Sequence, residues 1–175
     1  MSITPSALFA HFPDASRLWI FGIARSLSDL EVARLLAQVD EFLLDWKAHG
    51  APLAAAREWL YDRFLLVAVD DRTVPPSGCS IDALVRSLRM LEDELEISIV
   101  GGAPIWYRDG TADSAIRTLS RAEFAKHAED GLVSGETVVF DLSLTNMGEL
   151  RSGKWECHAT DSWHRKYLLS PAPAP

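Results

Sequence analysis

Phe64-Leu65-Leu66-Val67-Ala68-Val69-Asp70, then Ser77-Gly78-Cys79-Ser80-Ile81-Asp82, then Ala83-Leu84-Val85-Arg86-Ser87-Leu88-Arg89-Met90-Leu91: these three segments decide the fold. The first is short and continuously apolar, the pattern of a strand covered on both faces. The last carries apolar residues at helical spacing, so a helix is expected from roughly Ile81 to Glu94. Strand, polar turn and helix in that order predict an α/β protein. A Gly- and Ser-containing turn that opens a helix also points several backbone N–H groups at one spot. Such a spot attracts anions and lowers the pKa of a thiol placed there.

Working outward, Arg17-Leu18-Trp19-Ile20-Phe21-Gly22 reads as a strand rich in β-formers and closed by glycine. Ser28-Asp29-Leu30-Glu31 is a capping box. The helix it opens has Val32, Leu35, Leu36, Val39, Phe42, Leu43 and Trp46 on one face. Gly50 suits the left-handed position after that helix and Pro52 blocks its continuation, which puts His49 at its end. Ala54 to Tyr61 fits either a short helix or the start of a strand. Downstream, Ile97–Val100, Ile105–Arg108, Ala115–Leu119 and Thr137–Leu142 read as strands, and Ser120-Arg121-Ala122-Glu123 opens a third helix that ends near Gly131. The segment through Trp155 and Trp163 has no clear period. The expected organisation is an N-terminal arm (1–16), one layered α/β domain (17–169) and a flexible Pro-rich tail (170–175). Its core is a mixed sheet with about three helices.

The chain has 175 residues, long enough for a proper core, and a net charge of −8. That charge argues against nucleic-acid and anionic-membrane binding, which want a basic surface. Two cysteines far apart, Cys79 and Cys157, make a disulfide framework unnecessary and fit a reducing cytoplasm. Met1 to Phe12 lacks the basic flank and apolar core of a signal peptide, and no apolar run reaches the length of a membrane span. A soluble cytoplasmic protein is the expectation.

Cys79 has two readings: a thiolate held by helix N-terminal amides, or a small buried residue tucked under a helix start. Ser77, Gly78 and Ser80 line the same turn as ligand-binding groups, or serve as its cap. Asp82 is either a catalytic acid or a carboxylate favouring the helix dipole. His49 reads as a base facing Cys79, with Trp46 beside it, or as a last-turn histidine. Asp161-Ser162-Trp163-His164 lacks a Gly-x-Ser-x-Gly elbow, so it reads as a tryptophan anchor with His164 as a surface or capping group. Cys157, His158 and His164 lack metal-ligand spacing, and neither a metal nor a cofactor is expected. Gly148-Glu149-Leu150-Arg151-Ser152-Gly153-Lys154 has phosphate-loop spacing, but Trp155 stands where a Ser or Thr must hold magnesium.

Arg17-Leu18-Trp19-Ile20, Trp46-Lys47-Ala48-His49-Gly50, Val69-Asp70, Ser77 to Asp82 and Asp161-Ser162-Trp163-His164 resemble, in that order, segments of a family of small bacterial proteins. The resemblance runs from about Leu8 to Tyr167 and is most specific at Ser-Gly-Cys-Ser-Ile-Asp. Members are often labelled "ABC transporter ATPase", a label whose phosphate loop, Walker-B carboxylate and signature motif this chain lacks. The resemblance implies a stand-alone protein whose shared site lies in the His-Gly and Ser-Gly-Cys-Ser-Ile-Asp segments. By the same resemblance, Cys157 and the Ala-Pro tail look peculiar to this chain. Two functions follow from the sequence: a pocket at the second helix's start that binds a small anionic ligand or uses its thiol, and a non-catalytic interaction module, homodimeric through its tryptophans.

Overall fold

The computed structural model describes residues 9–99, 104–110 and 115–168. The order is β1 (Arg17–Gly22), α1 (Asp29–Asp45), β2 (Lys47–Ala48), β3 (Ala51–Pro52), β4 (Ala54–Leu60), β5 (Phe64–Asp70) and α2 (Gly78–Leu95). There follow β6 (Ile105–Arg108), β7 (Ile116–Leu119), α3 (Arg121–Glu129), β8 (Val138–Phe140), α4 (Met147–Arg151) and β9 (Glu156–His158). Two 3-10 turns, Ala159–Asp161 and Trp163–Tyr167, close the described chain.

The α/β layering is as expected, but the single mixed sheet is replaced by antiparallel sheets. They are β1-β5-β4, the hairpin β2-β3, and β7-β6-β8-β9. The reason is local. Tyr61 and Asp62, at φ 55° and 52°, turn β4 straight back along β5, and a connection that short allows only antiparallel pairing. Ala54 to Tyr61 thus resolves as strand β4. Alternation then sorts the side chains. Trp19, Phe21, Leu65, Val67 and Val69 face α1 and α2, while Leu18, Ile20, Phe64, Leu66 and Ala68 face the second sheet. That second sheet presents Trp106 and Phe140 to the first and Ile105, Tyr107 and Val139 to α3. Four layers result: helices, sheet, sheet, helix. β5 is buried on both faces, as its continuous apolar run required.

Both capping boxes read from the sequence form, Ser28 with Glu31 and Ser120 with Glu123. Other boundaries move. Helix α1 stops at Asp45, and Trp46 is extended. His49 and Gly50, at φ 52° and 82°, form the two-residue turn of the β2-β3 hairpin, so His49 is not in the last turn of α1. Helix α2 starts at Gly78, because Ser77 rather than a later residue caps it. Ile97 to Ile99 form no strand; Val100 lies outside the described residues. The helices number four among the described residues, the addition being α4. It occupies the phosphate-loop-like stretch, and Trp155 after it is 1% exposed and packs in the core. Phe9 is buried, and Arg151 holds the arm through the Phe9 and Phe12 carbonyls and Asp14. Among the described residues no helix is long and apolar enough to cross a membrane.

Candidate functional site

The turn at α2 is closed on itself. The Ser80 amide donates to Ser77 Oγ at 3.2 Å, the Ser77 amide donates to Ser80 Oγ at 2.8 Å, and Ser80 Oγ donates to the Ser77 carbonyl at 2.8 Å. Both hydroxyls are therefore used by the cap. Gly78, Cys79 and Asp82 are exposed on the helix surface, and Asp82 lies beyond the first turn. The indole Nε1–H of Trp46 donates to the Ser80 carbonyl at 2.8 Å. The Trp46 and Ser77–Ser80 segments are thus brought together as a latch between the end of α1 and the start of α2. His49 is exposed on its hairpin turn, and Cys79 is exposed on α2. Cys157, by contrast, is half-buried, and burial pushes its thiol up to about 11, so it is undissociated near neutral pH. Among the described residues no cluster of His, Cys, Asp or Glu is placed to hold a metal ion.

A cleft of about 620 Å³ opens elsewhere, where β1 ends against the second sheet. Ile20, Trp106, Phe140 and Leu142 give it an apolar floor; Ser143, Arg121, His164 and Lys166 contribute its polar groups. Gly22 makes the floor possible. A Cβ there would lie 2.5 Å from Trp106 Cζ2 and 3.0 Å from Leu142 Cδ2, so only glycine lets the indole lie against the β1 backbone. Arg121 is exposed at the first position of α3, and Lys166 is exposed on the last 3-10 turn. The Arg121 guanidinium lies 5.6 Å from the Trp163 ring centroid and Lys166 Nζ 5.0 Å from it. Neither cation has a carboxylate partner among the described residues; each rests on an aromatic face instead.

His164, expected as a surface or capping group, lines the same cleft and is 1% exposed, so it is not on the surface. Its Nδ1 meets Ser162 Oγ at 2.7 Å, and its ring stacks on Trp163 with the centroids 3.9 Å apart. Burial lowers its pKa to about 4; Asp141 opposes that shift, while Lys166 and Arg121 add to it. The imidazole is therefore neutral near pH 7. Asp141 does not line the cleft, and its Oδ1 accepts from the Ser143 amide and hydroxyl and from Trp163 Nε1.

The pH consequence follows from the sign. A histidine whose folded pKa lies below 6.5 takes up a proton more readily in the unfolded chain. Its contribution is whole above pH 6.5 and is lost as the pH falls toward 4. His164→Phe is expected to flatten the stability profile in that window, by up to about 3 kcal/mol, in urea unfolding at a series of fixed pH values.

None of the site residues expected from the sequence, Cys79, His49, Asp82, Ser77, Gly78, Ser80 and Trp46, lines this cleft, whereas Trp163 and His164 of the expected tryptophan anchor do. Trp106 and Arg121 carried no signal beyond strand alternation and a helix start. No protein-family model matches the chain, and neither a curated protein nor a solved structure does.

Proposed function

We propose that this protein binds a small organic anion with a flat apolar body in the cleft between β1 and the second sheet. The anion class carries over from the sequence; its place moves from the start of α2 to the cleft. Trp106 and Phe140 offer the body a dry aromatic surface, and Arg121 and Lys166 offer the charged end its counter-ions. One observation carries the reading. In a chain of net charge −8, two cations stand over an apolar cleft with no carboxylate partner among the described residues. Elsewhere arginines are commonly paired, as Arg57 is with Asp40 and Arg72 with Asp70. Cations held on an aromatic face need little rearrangement to meet an incoming carboxylate or phosphate.

Calorimetric titration with 1-naphthoate tests it. One equivalent is expected to bind, and the Arg121→Gln/Lys166→Gln variant is expected to bind roughly tenfold more weakly. The neutral 1-naphthamide should show a similar deficit against the wild type. Equal affinity for acid and amide, or no change in the double variant, overturns the reading.

A further inference from the structure

A second concavity, remote from the cleft, lies between α1 and α2. It is shallow, about 640 Å³, and it is floored by Trp46, which is buried, and Phe42, whose ring lies 5.5 Å from the Trp46 ring. Its two sides carry opposite charge. Glu41 and Asp45 stand on α1, and Arg86 stands across from them on α2; Lys47 follows the end of α1. All four are exposed, and none is in an ion pair among the described residues, though they line one groove. Met90, four residues beyond Arg86 on α2, is 65% exposed at the same groove. An apolar floor with a flexible thioether at its edge is a surface suited to being covered.

We propose that this groove is the face through which two copies of the chain associate about a two-fold axis lying along it. An isologous contact requires a surface that complements itself. Rotation about that axis lays each copy's α1 over the other's α2, so Glu41 and Asp45 meet the second copy's Arg86, twice over. Arg34 pairs with Glu94 and Trp46 bonds to Ser80, so α1 and α2 run antiparallel and the same rotation sets each Met90 against the other copy's Gln38, over the apolar floor. Molecules of net charge −8 repel one another at long range, so association depends on this local match of sign.

Sedimentation equilibrium of the full chain, over roughly 1 to 300 µM, reads the association directly. The wild type is expected to dimerise in that range. Arg86→Glu and Glu41→Arg should each raise the dissociation constant about tenfold or more, by setting like charges opposite one another. The Glu41→Arg/Arg86→Glu variant restores opposite signs across the contact and should recover to within about threefold of the wild type. Unchanged far-ultraviolet circular dichroism of all three variants, whose altered side chains are exposed, excludes misfolding as the cause. A wild type that stays monomeric, single reversals without effect, or a double variant as weak as the singles overturns the proposal.

Discussion

Arg108→Met is expected to lower stability by about 3–5 kcal/mol in urea unfolding, because it strands a carboxylate between two sheets. Arg108 and Glu156 have side chains only 8% and 7% exposed, and Arg108 Nε donates to Glu156 Oε1 at 2.5 Å. The hydroxyl of Tyr61 donates to the other oxygen at 2.8 Å, and the guanidinium lies over the Tyr61 and Phe140 rings at 5.0 and 5.3 Å. Burial, helped by the bond to Glu156, pushes Tyr61 up to about 12, so the phenol stays protonated and remains the donor. Removing the cation leaves Glu156 with that phenol in a layer of aromatic rings. The companion Arg108→Met/Glu156→Leu variant removes both charges and is expected to recover most of the loss, since two desolvation costs vanish together. A loss below about 1 kcal/mol for the single variant would mean that Glu156 finds water there.

Phe64→Ala is expected to cost a similar amount, about 3–5 kcal/mol, by a different route. Phe64 is fully buried in β5, and its ring centroid lies 4.9 Å from Phe140, 5.2 Å from Trp155 and 6.0 Å from Trp106. These rings come from the second sheet and the segment before β9, so Phe64 is where the two sheets meet. Truncation removes the apolar contact and leaves a hollow that flat, rigid neighbours cannot collapse to fill. Because Trp106 also floors the cleft, the same variant should weaken 1-naphthoate binding. Stability within about 1 kcal/mol of the wild type would show that the sheets are held together elsewhere.

What could be read from the sequence was what short-range chemistry decides. The capping boxes at Ser28 and Ser120 formed because cap and partner lie three residues apart, and β5 was visible because burial on both faces leaves an unbroken apolar run. His49-Gly50 falls in a hairpin turn rather than at a helix end for an equally local reason. The α1 periodicity runs on through Trp46, and a glycine near a helix end fits either a C-terminal cap or a hairpin turn. Only the paired positive φ values separate the two. Strand direction depended on the tight turn at Tyr61-Asp62, which lacks the glycine that marks such turns.

The cleft was less legible still. Gly22, Trp106, Arg121 and His164 come from four separate parts of the chain, and a glycine closing a strand does not announce which ring will lie against it. The Ser77–Ser80 pattern suits ligand and cap equally, and in the fold the cap uses both hydroxyls. Trp46 and Ser80 do meet, yet their hydrogen bond joins two helices rather than forming a basin.

The most direct measurement uses the six tryptophans as reporters of where the anion goes. In a nitrogen-15 spectrum, titration with 1-naphthoate should shift the indole resonances of Trp106 and Trp163, which flank the cleft, and leave those of Trp46 and Trp59 in place. Shifts confined to Trp46, or no indole shift at saturating ligand, would contradict the cleft as the binding site.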